Sequence, residues 1–248
     1  MGLFQNLFST KQALPNADLS PLITDMHSHL IPGIDDGAKT KEESLELIRE
    51  LYALGYRKLI TTPHIMSDHY KNTPEIINSG LATMQDLLKN ENIPIQLEAA
   101  AEYYVDFDFE QKINNSSLMT FGKNYVLIEL SFINSPDFLD GIIFKMRTAG
   151  YIPVLAHVER YPYWYNSKDK YDQLIDQGVL LQMNINSLAG QYSIQAKQIS
   201  KYLIGKGMIS FLGTDCHNMH YIEQLKSCLK DKYLHMVLRS GNLLNSQL

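Results

Sequence analysis

His27 and His29 stand two residues apart in ITDMHSHLIPGIDDG, residues 23–37, and Asp35, Asp36 and Gly37 close the same segment. On a strand, residues i and i+2 point to one face, so the two imidazoles can converge on one ion. Five later segments offer the same kind of group: His64 in TTPH, Glu102 in AAAEYY, Glu129 in YVLIELS, His157 in AHVERY, and Asp215 with His217 in GTDCHN. Neutral imidazole and carboxylate together form the ligand set of manganese, iron and zinc. An unpaired carboxylate is costly to bury, and Glu102 and Glu129 both interrupt apolar runs, so each requires a cation. Nine such groups are too many for one ion and enough for two or three. Three divalent ions would outweigh the carboxylates of Asp36, Glu102, Glu129 and Asp215, leaving a positive pocket suited to a phosphate dianion inside an acidic chain. Arg160, three residues past His157, offers a planar guanidinium donor for phosphate oxygens. Its plainer reading is a surface ion pair with a neighbour such as Glu159.

These groups need elements that bring them together. Apolar runs predict strands over 22–29, 58–64, 95–104, 125–131, 152–159, 179–186 and 209–215, most of them continuous as in parallel strands buried on both faces. Six of the seven carry a His, Asp or Glu at or past the C-terminal end. Helices are expected between them. One spans 40–54, with Thr40 as N-cap, Glu43 three residues on in a capping-box pattern, and Gly55 as stop. A second spans 74–90, with Thr73 as cap and Pro74 in the first turn. Others are expected over 137–149, 168–177, 193–206 and about 219–240. Strand–helix alternation with every ligand group at one end predicts an α/β parallel barrel, with a doubly wound open sheet as the alternative.

The bulk properties exclude other classes. The 248 residues are 45% hydrophobic and 20% charged, with a net charge of −5. This is ordinary globular composition, within reach of a single α/β barrel, and it lacks the basic face of a nucleic-acid binder. Two cysteines, Cys216 and Cys228, fit a reducing compartment rather than a disulfide framework. The opening MGLFQNLFSTKQALP lacks the basic and long apolar regions of a signal peptide. Asn6 breaks the myristoylation pattern after Gly2. Leu3, Phe4, Leu7 and Phe8 are expected to pack on the domain or a partner. No run reaches the roughly 18 apolar residues of a membrane span, so a soluble cytoplasmic protein is expected. A P-loop, GxGxxG and GxSxG are all absent, as is the Cys-x5-Arg loop of cysteine phosphatases. The aromatic run RYPYWY at 160–165 is expected to be a packed loop, with a substrate-stacking rim as the alternative.

Taken in order, DMHSHLIPGIDDG, TTPH, AAAEYY, LIEL, AHVERY and GTDCHN resemble the polymerase and histidinol phosphatase (PHP) superfamily. The match is nearest to its bacterial manganese-dependent protein-tyrosine phosphatases of capsular polysaccharide synthesis, the CpsB and YwqE type. The resemblance runs from about residue 22 to 240. It implies a distorted (β/α)7 TIM-like barrel, with residues 21–248 as one phosphatase domain after an extension over 1–20. It also implies a trinuclear centre of three divalent ions, manganese first, with iron or zinc as alternatives. One ion would take His27, His29, Glu102 and Asp215; a second Glu102, Glu129 and His157; a third Asp36, His64 and His217. Arg160 matches the phosphate-binding position, and His64 and His217 join it as catalytic candidates. The implied substrate is a phosphotyrosine protein, the tail of a bacterial tyrosine autokinase. Where the branch often carries basic residues after TTPH, this chain has IMSDHY; where it often has an arginine after DxHN, this chain has MHYIEQ. His69 and His220 are the candidates to stand in, or else solvated loop histidines. Two other functions compete: a small-molecule phosphatase of the superfamily, acting for example on histidinol phosphate, and a non-catalytic metal-stabilised binding module.

Overall fold

The computed structural model describes residues 14–248, so the expected packing of Leu3, Phe4, Leu7 and Phe8 lies outside the described residues. The strands are β1 (Thr24–Asp25), β2 (Lys58–Thr61), β3 (His64–Ile65), β4 (Gln96–Ala99), β5 (Glu102–Tyr104), β6 (Tyr125–Glu129), β7 (Ile152–Leu155), β8 (Leu180–Asn184) and β9 (Phe211–Gly213). All of their pairings are parallel, in the orders β1-β2-β4 and β3-β5-β6-β7-β8-β9. The two sheets are stitched where single expected strands break. Ala100 N–H donates to Thr61 O at 2.9 Å and Glu102 N–H to Pro63 O at 3.1 Å, across the gaps between β2 and β3 and between β4 and β5. Strand order rises with the sequence, whereas a doubly wound sheet reverses at its switch point. The strands curl into a half-barrel.

The helices are α1 (Lys41–Ala53), α2 (Pro74–Asn90), α3 (Phe109–Asn114), α4 (Leu139–Thr148), α5 (Asp169–Asp176), α6 (Ile194–Lys206), α7 (Met219–Cys228) and α8 (Lys232–Leu238). Thr40 caps α1 by accepting from Glu43 N–H at 3.2 Å, but the returning Glu43 carboxylate takes the N–H of Lys39, not that of Thr40. Gly55 closes α1 at φ +113°, a conformation open to glycine. Helix α2 has the expected bounds, with Thr73 as cap and Pro74 in the first turn. The expected helix over 219–240 is two, because Asp231 turns out of helical conformation and caps α8 through Tyr233 N–H at 2.7 Å. Helix α3 was not expected. The strands β1, β6, β7, β8 and β9 are shorter than their apolar runs; past β7 the chain makes a 3-10 turn over Val158–Arg160, and past β8 another over Ile185–Ala189.

A large buried core lies between sheet and helices, and Ala17 and Leu19 pack into it. A smaller buried cluster joins Met26, Ile60, Leu127, Val154 and Phe211, one residue from each of five strand segments. At the opposite end from the histidines, Asn245 donates to Thr24 O and Leu212 O and accepts from Leu212 N–H, tying first and last strands. Among the described residues, no helix is long and apolar enough to cross a membrane.

Candidate metal centre

The chain beyond β1 is held by the chain beyond β9. Ser28 pairs with Cys216 in parallel, Asp215 N–H donates to His27 O at 2.8 Å, and His29 N–H to Cys216 O at 2.9 Å. This ladder turns His27 and His29 to one side and places Asp215 beside them. Asp25 strengthens the same seam beneath, accepting from Thr214 N–H at 3.0 Å and Thr214 Oγ1–H at 2.6 Å; full burial pushes its pKa up to about 6. His157 at φ +31° and Asp215 at φ +51° are non-glycine residues in left-handed backbone, strain that collects where side chains must be aimed.

Glu102 is the hub. Its Oε2 lies 3.2 Å from His27 Nε2, 3.4 Å from His29 Nε2 and 3.2 Å from His64 Nδ1, and its Oε1 lies 3.1 Å from His157 Nε2. Glu129 reaches His157 Nε2 at 3.4 Å and His64 Nδ1 at 3.7 Å. Asp215 Oδ1 is 3.3 Å from His27 Nε2 and 3.5 Å from His29 Nε2. Asp36 Oδ1 stands 3.4 Å from both His64 Nε2 and His217 Nε2. Ligand atoms gather within 4.8 Å of one another in four overlapping groups: His29, Asp36, His64 and His217; His27, His29 and Asp215; His27, Glu102 and His157; His64, Glu102 and Glu129. All nine residues singled out in the sequence are therefore brought together, and all but Asp36 are buried.

The far nitrogens of the rings decide what this cluster fits. Gln182 Oε1 accepts the backbone N–H of His157 at 2.8 Å, which fixes that atom as oxygen, so His27 Nδ1, 3.0 Å away, must donate to it. His29 Nδ1 donates to Asp35 Oδ2 at 2.8 Å, and His217 Nδ1 to the carbonyl of Asp215 at 2.8 Å. In the neutral rings the Nε2 lone pairs of His27, His29 and His217 therefore aim at carboxylate oxygens, an arrangement that repels unless a cation lies between. Without a metal, a proton on His27 or His29 can serve as that cation, and both rings are raised above the ordinary histidine range. Burial and the Arg160 charge oppose protonation of His157, yet bonds to Glu102 and Glu129 lift its pKa to about 9. Burial likewise works against His29, but the attraction of Asp35 and bonds to Asp215 and Glu102 hold it well above the ordinary histidine range. Burial pushes Glu102 up, and the pull of His27 and His64 reverses this, leaving its carboxyl well below the usual range. The donor set fits divalent ions with nitrogen and oxygen ligands.

Arg160 faces the cluster. Its Nη1 donates to Asp215 Oδ2 at 3.2 Å, and its guanidinium lies between the rings of Phe132 and Tyr192, 4.6 and 4.1 Å from their centroids. Pairing with Glu159 does not occur: Glu159 is buried and accepts from Asn184 N–H and Ser187 Oγ–H. A cavity of about 520 Å³ opens over Asp36, His64, Glu102, Glu129, Arg160 and His217. His69 lines its mouth, while exposed His220 lies outside and points toward Glu223. The RYPYWY loop is packed as expected, with Tyr161 and Trp164 buried and the Tyr161 hydroxyl accepting from Leu130 N–H.

Two residues that hold the ligands carry little mark in the sequence. Gln182 and Asn184 alternate on β8; Gln182 Nε2 donates to Asn184 Oδ1, and Asn184 Nδ2 to Asp215 Oδ2 at 2.7 Å. Their only signal is two amides spaced i, i+2 in an otherwise apolar strand.

The family described as capsular polysaccharide synthesis, CpsB/CapC, matches residues 23–237. The tyrosine-protein phosphatase YwqE of Bacillus subtilis is 31% identical over 196 residues, covering 79% of this chain and 77% of that protein. The tyrosine-protein phosphatase CpsB of Streptococcus pneumoniae is 26% identical over 219 residues, covering 84% and 90%. A solved structure, from work on YwqE and CpsB as unique metal-dependent tyrosine phosphatases, superposes with a TM-score of 0.78 at 27% identity, over 91% of this chain and 95% of that one.

Proposed function

The chain belongs to the CpsB/CapC family of capsular polysaccharide synthesis, and from that premise we propose that it is a metal-dependent protein-tyrosine phosphatase whose nine clustered side chains hold three divalent ions, manganese first. The observation that carries this reading is the set of Nε2 atoms aimed at carboxylates while Asp35, Gln182 and the Asp215 carbonyl occupy the other ring nitrogens. His27, His29, Glu102 and Asp215 would hold one ion, Glu102, Glu129 and His157 a second, and Asp36, His64 and His217 a third. When bound, the ions supply Lewis acidity and a water activated for attack on phosphorus.

Arg160 supplies the fixed protein charge. Its guanidinium plane is set by Phe132 and Tyr192, so its N–H groups meet the terminal oxygens of a phosphoryl group without reorganising. His64 and His217 border the open side of the cavity, where the phosphate enters. Phenolate is a fairly good leaving group, so no side chain need be assigned as a dedicated acid.

The fold is read as a closed, distorted (β/α)7 barrel. The Ser28–Cys216 pairing between the first and last strand segments supports closure, as does the five-strand interior cluster. Residues 21–248 are read as one domain; the described end of the 1–20 extension packs into its core at Ala17 and Leu19. Free, buried Cys216 and Cys228 fit a cytoplasmic setting. The substrate is read as a phosphotyrosine protein, which the named activity of the relatives supports; a tyrosine autokinase tail is the physiological candidate that the sequence resemblance implies.

The test is metal analysis of protein purified without chelator, followed by hydrolysis of a phosphotyrosine peptide and of histidinol phosphate with manganese present. The expected result is bound metal and a preference for phosphotyrosine, lost in His157→Ala. A protein that takes up metal yet hydrolyses neither substrate would overturn the reading and leave a binding module.

A further inference from the structure

Three depressions run in a row across the surface and share walls. The catalytic cavity and a second cavity of about 550 Å³ share Phe132 and Arg160. The second and a third of about 540 Å³ share Tyr165 and Gln195. Arg160 is thus a partition: it donates to Asp215 in the catalytic cavity, while one face of its guanidinium lies on Tyr192, which lines only the second. A small phosphate ester is accommodated in the first cavity alone. The series suits an extended chain, which advances about 3.3 Å per residue.

The lining beyond Arg160 states what kind of chain. Pro162, Tyr165 and Tyr192 give flat apolar faces, and Ser193 and Gln195 add a hydroxyl and an amide. An exposed amide side chain both donates and accepts, which matches a peptide backbone. Lys168 and Asp169 in the third cavity balance one another, and the Lys168 ammonium already sits over the Tyr202 ring, 4.6 Å from its centroid. The groove therefore selects neither strongly acidic nor strongly basic flanks.

Resting on the phosphatase reading above, we propose that the groove from Arg160 through Tyr165 and Gln195 is a subsite for the peptide on one side of the phosphotyrosine, taking neutral residues in extended conformation. Aryl phosphates lacking a peptide do not use it. The experiment compares p-nitrophenyl phosphate with a phosphotyrosine peptide carrying several neutral residues on each side, and with the two peptides truncated on one side only. Truncation on one side raises KM about fivefold to tenfold, the loss of one or two hydrogen bonds and a stacked ring, and truncation on the other leaves it unchanged. Gln195→Ala and Tyr165→Ala raise KM for the full peptide by a similar factor and leave kcat and KM for p-nitrophenyl phosphate as they were. Gln195 is exposed on the first turn of α6, so its replacement leaves the core intact. Equal KM for all three peptides, or variants that damage p-nitrophenyl phosphate turnover as much as peptide turnover, overturns the subsite. Flank-independent turnover alongside manganese-dependent hydrolysis of p-nitrophenyl phosphate overturns the subsite alone. Absence of any hydrolysis by the parent protein overturns the phosphatase reading and the subsite with it.

Discussion

A single oxygen, Gln182 Oε1, orients two ring systems at once, accepting from His27 Nδ1–H and from the backbone of His157. Gln182→Leu keeps the volume and removes the acceptor. Partners of this kind are worth about 10-fold to 100-fold in metal affinity, and that is the loss expected in a competition titration against a fluorescent chelator. Unchanged affinity would mean that packing alone holds His27. Arg160 makes a different demand. Its plane is sandwiched between Phe132 and Tyr192, and a lysine carries the charge without the fork. Arg160→Lys should lower kcat about a hundredfold, as removal of one preorganised donor does, with metal content unchanged. Wild-type kcat in that variant would reduce Arg160 to a point charge.

At the scale of elements, the cluster depends on a tight crossing between the 30–38 loop and the end of the first strand segment. A Cβ on Gly37 would lie 2.2 Å from His29 O and 2.5 Å from His29 Cβ, and that same carbonyl accepts from Ala38 N–H at 3.2 Å. Gly37→Ala must therefore move backbone, costing about 1–3 kcal/mol. It should show a lower denaturation midpoint together with lost metal, because His29 and Asp36 move with it. A stable variant with full metal content would refute this crossing. The glycine of DDG is legible in the sequence only as a turn; the need for space beside His29 appears once the loop is folded back. Periodicity located α2 to the residue because it is long, capped and amphipathic. It missed α3, six residues with too few turns to show a period, and it ran α7 into α8 because Asp231 looks like any polar helix residue until it caps the next helix. Ligand-type residues announced themselves by chemistry. Asp35, Gln182 and Asn184 do not announce themselves in this way, because amides and turn aspartates carry no mark of what they orient.

Across the whole molecule, the charge of the cluster links folding, protons and metal. His157 has a folded pKa of about 9 against an ordinary 6.5. A raised histidine contributes stability that is complete below its unfolded value and is lost as pH climbs through the folded one. The His157 contribution to the metal-free protein therefore fades between pH 6.5 and about 9. Glu102 and Asp215 are depressed by the same histidines, so their contribution is present above the ordinary carboxylate range and is lost as pH falls through the lowered values. The metal-free protein should be most stable in weak acid. A bound divalent cation takes over the role of the protons, and since it must displace them its affinity grows as pH rises. Stabilisation by a ligand that binds only the folded state follows its concentration relative to its Kd, so the manganese-loaded protein gains most where the metal-free protein has lost most. Melting temperatures measured with excess manganese and with chelator should diverge steadily from about pH 6.5 to about pH 9. Parallel curves, or a gap that narrows with pH, would show that the histidines do not exchange protons for metal.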